Sequence, residues 1–185
     1  GLRYDTFEVD STNQLKDISE NRDSHSTSPR VGVVWTPLRN HSFYASWSKT
    51  FSPVGGGLIG ITPGVTTNVN DLSPELTKQK EIGVKSDWLD ERLSTTLAAF
   101  HIEKENVLAL DPATNTNRAM GKARSQGFDL QLTGQLTDAV RIIGAFAYID
   151  AEVTKGDKAI PAGSRILGVA KRSGSLLGVY EFQEG

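Results

Sequence analysis

The chain has 185 residues, a formal net charge of −2 at pH 7 and no cysteine. Its basic residues are scattered, which argues against nucleic-acid binding, and the lack of cysteine excludes disulfides, thiolate nucleophiles and Cys-based metal sites. No run of about 18 apolar residues is present, so no transmembrane helix is predicted. A transmembrane strand needs only about ten residues of alternating character, and a membrane β-barrel therefore stays possible.

Stretches rich in β-branched and aromatic residues recur between turn signals and predict an all-β, antiparallel chain of eight strands. In chain order, the predicted strands are 1–9, 29–36, 41–51, 79–88, 92–105, 122–134, 139–153 and 168–182.

The links between these strands alternate in length. Short links are predicted at 37–40, 89–91 and 135–138, and long links, rich in Gly, Pro, Ser, Thr, Asn and Asp, at 10–28, 52–78, 106–121 and 154–167. Short turns on one rim and long loops on the other are typical of a bacterial outer-membrane barrel, with the short side periplasmic and the long side extracellular.

Side chains alternate in character within the strands. Phe43, Ala45 and Trp47 share one predicted face, opposite Tyr44 and Ser46. The apolar sets are expected to face lipid, and the polar sets a wet lumen that includes Glu81, Lys85, Asp87, Asp129 and Gln131. A soluble β-sandwich gives the same alternation with its apolar side inward, and predicts a dry core of Phe43, Trp47, Ile82 and Val84.

Five segments, in this order and spacing, resemble the middle and later barrel of TonB-dependent siderophore receptors: 28–35, 42–53, 72–85, 93–106 and 125–130. The resemblance covers most of the chain. It implies that residues 1–185 are a partial β-barrel domain, about eight strands of a barrel of about 22. Because Gly1 to Tyr4 carry no targeting signal and Tyr180 to Gly185 are expected to end at a periplasmic turn, the chain is interpreted as a piece bounded by two cuts, without plug or terminal strands. Alone in water, such a piece is expected to aggregate.

For function, the resemblance implies import of a ferric siderophore across the bacterial outer membrane. The implied partners are the siderophore, outer-membrane lipid, and the TonB complex acting through a missing N-terminal region. Iron would be carried within the siderophore, so no cofactor is expected. Another cargo, such as cobalamin, haem or a glycan, stays open. A small closed eight-strand barrel with a structural or adhesive role, and a soluble β-sandwich binding module, are further alternatives.

Enzymatic activity has the least support in the sequence. His25, His41 and His101 are far apart and form no metal-ligand pair, and no GxSxG elbow occurs. The glycines at 55–57 lack the GKS or GKT ending of a phosphate loop. No catalytic residue and no metal site are therefore predicted.

Two groups of residues stand out as candidates for contacts at the membrane. Arg118, Lys122 and Arg124 cluster where the link 106–121 re-enters a strand; they could recognise an anionic ferric siderophore at the extracellular rim, or equally meet charged outer-leaflet head groups. Trp35, Trp88 and Tyr180 fall near predicted periplasmic strand ends, and are expected to be aromatic anchors at the membrane interface.

Overall fold

A computed structural model describes residues 1–13, 18–52, 73–111, 116–119, 121–156, 158 and 160–182, with the backbone alone at 9–13, 18–22, 24, 108–111 and 116–119. The described residues contain ten strands: β1 (Leu2–Asn13), β2 (Ile18–Leu38), β3 (His41–Ser52), β4 (Glu75–Trp88), β5 (Leu93–Glu105), β6 (Leu108–Asp111), β7 (Thr116–Ala119), β8 (Lys122–Thr137), β9 (Val140–Lys155) and β10 (Arg172–Tyr180). In these ranges no helix is long and apolar enough to cross a membrane.

Eight of the strands form one antiparallel sheet in the order β1-β2-β3-β4-β5-β8-β9-β10. Apart from the β5 to β8 step, every neighbour in the sheet is also the next strand in the chain. The remaining two, β6 and β7, pair with each other as a small hairpin inside the connection from β5 to β8. The eight predicted strands and their antiparallel arrangement are confirmed.

Tight turns join the strands at one edge, which we call the short rim. The turns occupy residues 39–40, 89–92 and 138–139. In the turn after β4, Leu89, Asp90 and Glu91 all have positive φ, at 54°, 56° and 66°, a conformation uncommon outside glycine. Backbone bonds tie this rim together: Gln135 N–H donates to the Arg92 carbonyl at 2.8 Å.

The opposite edge, the long rim, carries the connections 53–74, 106–121 and 156–171. The last of these returns along the edge of β9. Val153 N–H donates to Ser164 O at 2.8 Å, and Ile166 N–H donates to Ala151 O at 3.2 Å. Three of the four predicted long links are therefore long on this rim, whereas the fourth, 10–28, is not, since only residues 14–17 separate β1 from β2.

Several strand boundaries differ from those predicted. Most of the predicted link 10–28 is strand, because β1 runs to Asn13 and β2 begins at Ile18. Ser, Asn and Asp in that segment favour a loop locally, but cross-strand pairing from Leu2↔Pro29 to Asn13↔Ile18 overrides that preference. β10 is shorter than its predicted range 168–182, since the chain before Arg172 folds back on β9 instead.

Within the described residues the sheet is a single layer. The side chains that it buries are small ones, Ala98, Ala123, Ala151, Val153 and Ser86. Large apolar side chains are open instead: Phe43 is 44% exposed and Ile82 is 63% exposed. The dry core that a soluble β-sandwich requires is absent from this part of the chain, so that alternative is wrong.

Candidate functional site: two faces of the barrel wall

The pairing register assigns each strand residue to one of two faces, because directly opposed residues point to the same side. Residues that are opposite one another across successive strands form a row. Two adjacent rows, each crossing six strands, consist of apolar residues, and we call the side of the sheet to which they point the apolar face. These rows are Val33, Ala45, Ile82, Ala99, Phe128, Tyr148, and Trp35, Phe43, Val84, Leu97, Leu130, Phe146. A continuous apolar band of this kind suits a hydrocarbon environment.

The opposite side, the polar face, carries all five residues that were predicted to face a lumen: Glu81, Lys85, Asp87, Asp129 and Gln131. Gln79 Nε2 donates to Glu81 Oε2 at 3.1 Å, and Ser94 Oγ donates to Asp87 Oδ1 at 2.5 Å. Glu81 and Asp87 are thus held by neutral donors of the same face.

Tyr44 organises the middle of the polar face. Its hydroxyl donates a hydrogen bond to Glu81, and the ammonium of Lys85 lies 5.9 Å from the centroid of its ring. Gly83, directly opposite Tyr44 on β4, leaves the space in which the ring lies. Specific contacts therefore hold the Tyr44 side chain in place on this face, although the face is polar.

Charged residues follow the apolar band on the same face, towards the long rim. One row reads Lys49, Lys78, Glu103, Arg124, Glu152 across five strands. Arg124 Nη2 lies 2.7 Å from Glu152 Oε1, while Lys78 and Lys122 both contact Glu105, at 3.0 and 3.1 Å. We call the paired residues Lys78, Glu105, Lys122, Arg124 and Glu152 the charged band.

Within the charged band, Glu105 accepts hydrogen bonds from Lys78 and Lys122, which hold the pKa of its carboxyl below its usual range. Glu105 is the last residue of β5, beyond the apolar rows and outside the part of the strand that they occupy. Its charge therefore persists to lower pH than that of a free glutamate.

The three candidate cations of the sequence are thus only partly brought together. Lys122 and Arg124 both lie on the apolar face, on the strand that also carries Phe128, and each faces a carboxylate. One atom of Arg124, the buried Nε, has no hydrogen-bond partner in the part of the chain that the structure describes. Arg118 belongs to β7, and its side chain lies outside the described residues.

The sequence analysis missed a lysine on the polar face, at the same level along the strands as Lys122 and Arg124. Lys104 is directly opposite Ala123 and Thr77, and its Nζ lies 2.7 Å from Glu75 Oε1. Next to this pair, Asn106 Nδ2 donates to Pro74 O at 2.8 Å. Lys104 therefore stands where two long connections leave the sheet. Alternation along β5 was a signal for it, since Glu103 and Glu105 flank Lys104 and point to the other side.

The three predicted interface aromatics all lie at the short rim and on the apolar face. Trp35 packs against Phe43 with ring centroids 5.7 Å apart, and remains 65% exposed. Trp88 donates from Nε1 to Thr95 Oγ1 at 2.9 Å. Tyr180 contacts Phe182, with ring centroids 4.7 Å apart.

Aromatic side chains at the short-rim end of an apolar band, on a sheet with short turns at that rim, are the pattern of an outer-membrane barrel wall. The family model described as "TonB dependent receptor-like, beta-barrel" matches residues 1–185. The chain belongs to the TonB-dependent receptor family. Members of this family are transporters of the bacterial outer membrane and not enzymes.

Relatives and solved structures agree with this assignment. The chain is 45% identical over 193 residues to the metal-pseudopaline receptor CntO of Pseudomonas aeruginosa, and 31% identical over 198 residues to the probable TonB-dependent siderophore receptor PiuA of Acinetobacter baumannii. These matches cover 100% and 98% of the chain, and 26% of each relative. The chain therefore spans about a quarter of their length.

The PiuA crystal structure matches with a TM-score of 0.79 at 30% identity, covering 97% of this chain and 28% of that one. The ferric-catecholate import receptor Fiu of Escherichia coli K12 has a TM-score of 0.75 at 23% identity, covering 90% of this chain and 24% of Fiu, which supports the fold alone.

Proposed function

We propose that the intact protein imports a metal chelate across the outer membrane, with a ferric siderophore or a related metal complex as cargo and with TonB as its energy-coupling partner. Family membership and the 45% identity to a metal-pseudopaline receptor support this proposal. The relatives CntO and PiuA carry names of a metal-chelate and a siderophore receptor, which favours this cargo over cobalamin, haem or a glycan.

In this proposal the apolar face meets lipid and the polar face meets the lumen. The observation that carries it is the continuity of the two apolar rows across six strands, set against an opposite face that holds Glu81, Lys85, Asp87, Asp129 and Gln131. Trp35, Trp88 and Tyr180 then anchor the wall at the periplasmic interface, where amphipathic rings are favoured.

The orientation also separates two interpretations of the charged residues near the long rim. Lys122 and Arg124 share the face of the apolar band, so we assign them to outer-leaflet head groups, with their charge balanced by Glu105 and Glu152. Lys104 points to the lumen side, and its ammonium, paired only with Glu75 among the described residues, keeps donors for an anionic chelate. Arg118 stays a candidate ligand contact.

Uptake by whole cells and binding to the purified full-length receptor test the proposal. A strain lacking the receptor is expected to lose uptake of metal-loaded pseudopaline, or of ferrichrome or ferrioxamine B if the cargo is a siderophore. Lys104→Gln is expected to weaken chelate binding by roughly three- to tenfold, as loss of one charge-assisted hydrogen bond implies.

Lys122→Gln is the matched control, because it removes the same charge one strand away on the opposite face. Its chelate affinity is expected to stay within about twofold of the parent. A large loss with Lys122→Gln and none with Lys104→Gln would reverse the assignment of the two faces. Normal uptake of all three chelates without the receptor would reject the transport proposal itself.

A further inference from the structure

The sheet splits between β2 and β3 in its half nearer the long rim. Their pairing runs from Leu38↔His41 to Arg30↔Ser48 and ends there. Both strands continue beyond this point with other partners: β2 pairs with β1 back to Ile18, and β3 pairs with β4 up to Ser52. Among the described residues, β2 and β3 are therefore not paired with each other beyond Arg30 and Ser48.

The split encloses a cleft of about 380 Å³, which is lined by residues from both faces of the sheet. The Arg30↔Ser48 pair closes it below. Across it, the rings of Phe7 on β1 and Phe51 on β3 are in contact, with centroids 5.6 Å apart. The cleft is thus bounded above and below instead of being an open groove.

Three cationic side chains and one carboxylate line this cleft. Arg3 is paired with Asp5, with Nε and Oδ1 2.6 Å apart. Arg30 and Lys49 also line it, and in the described part of the chain the side chain of neither takes part in an ion pair or hydrogen bond. Ser28, Ser48 and Thr50 add hydroxyl groups to the same lining.

This arrangement contrasts with the charged band at a similar height, where Lys78, Lys122 and Arg124 each have a carboxylate partner. In the cleft, Arg30 and Lys49 line the same cavity, and among the described residues neither side chain has a carboxylate partner. Guanidinium, ammonium and hydroxyl groups together match the oxygens of a phosphate or a carboxylate, to which they donate charge-assisted hydrogen bonds.

We propose that the cleft between β2 and β3 binds an oxyanion, a phosphate or carboxylate group held by Arg30 and Lys49 across the split in the barrel wall. Arg30 lies on the polar face and Lys49 on the apolar face, so the group is reachable from the lumen or from the membrane. A chelate carboxylate and the phosphate of an outer-leaflet lipid are its two sources. The chelate source rests on the proposed function, and the lipid source does not.

The test uses the full-length receptor in detergent with two probes, lipid A counted by native mass spectrometry and metal-loaded pseudopaline titrated by tryptophan fluorescence. The variant Arg30→Gln/Lys49→Gln is expected to bind one probe at least about tenfold more weakly than the parent. Loss of lipid A binding alone identifies the lipid phosphate, and loss of chelate binding identifies the carboxylate.

Two matched variants separate the site from general effects. Arg30→Lys/Lys49→Arg keeps both charges and is expected to retain most of the binding, whereas Arg39→Gln/Arg92→Gln removes two charges at the short rim and is expected to change neither probe. Heat-modifiability on gels checks that each barrel is folded.

Unchanged affinity of the double Gln variant for both probes, or a parent receptor that binds neither, overturns the inference. A parent that binds lipid A through Arg30 and Lys49 but no metal chelate would leave this inference standing and reject the proposed function.

Discussion

Tyr44 lies directly across Gly83, so that a Cβ placed on Gly83 would stand 2.5 Å from two ring carbons and the hydroxyl oxygen of Tyr44. The ring covers the glycine, and its hydroxyl reaches Glu81 on the same strand. An aromatic side chain thereby replaces the packing that the glycine does not supply.

Gly83→Ala is expected to displace the Tyr44 ring and destabilise the barrel by about 1–3 kcal/mol, the usual range for overpacking. Urea unfolding of the full-length receptor in detergent measures the loss. Gly32→Ala on β2 is the control, because its Cβ would meet its nearest neighbour at 3.6 Å. Equal stability of the two variants would show that Tyr44 does not depend on Gly83.

Adjacent strand residues are expected to report different environments when spin-labelled in lipid vesicles. Labels at Ile82 and Leu97 lie on the apolar face and should be relaxed by oxygen, which concentrates in hydrocarbon. Labels at Glu81 and Thr96 should be shielded from oxygen. These 185 residues contain no cysteine that would compete for label. Power saturation measures the contrast, and its inversion would contradict the orientation of the wall.

The ion pair of Arg124 with Glu152 is expected to be coupled by about 1 kcal/mol in a double-mutant cycle, since the N–O distance is 2.7 Å and each side chain is about two-thirds covered. The matched pair is Lys171 with Asp150, 3.9 Å apart and more exposed, for which coupling near zero is expected. Unfolding in urea at low and high salt gives both values. A coupling for the first pair that is indistinguishable from the second would reject the prediction.

Trp88→Ala is expected to lower the stability of the receptor in lipid by about 2 kcal/mol, because it removes an interface aromatic together with its hydrogen bond to Thr95. Trp88→Phe should recover part of this loss. Leu167→Ala at the long rim is the control, since Leu167 is 94% exposed. The midpoints of unfolding in reconstituted vesicles measure these changes in stability. A larger loss of stability for Leu167→Ala than for Trp88→Ala would contradict the anchoring role.

Local sequence patterns were enough to predict the eight strands and the rims that they share. Turn residues mark 39–40 and 138–139, and alternation marks the strand faces, because both are properties of neighbouring residues. Counting back by twos from Phe128 also reaches Arg124 and Lys122, so their place on the apolar face could have been inferred from the sequence.

Features that depend on how far each strand pairs with its neighbours were not predictable. The extension of β1 and β2 through a polar segment follows from their pairing with each other, and the hairpin of β6 with β7 has no clear alternation of its own. The cleft at Arg30 and Lys49 depends on where one ladder ends while two others continue. Composition and periodicity carry no information about that point.

The alternation of tight turns and long connections also suggests an order of assembly. Within a tight hairpin, Trp88 on β4 is opposite Leu93 on β5, so pairing can begin next to the turn and proceed outward. Between hairpins, Phe51 on β3 must find Leu76 on β4 across a long connection, which has a higher entropic cost of closure. The hairpins of β2 with β3, β4 with β5 and β8 with β9 are then expected to form first. Pairing of one hairpin with the next is expected to be the slow step of folding.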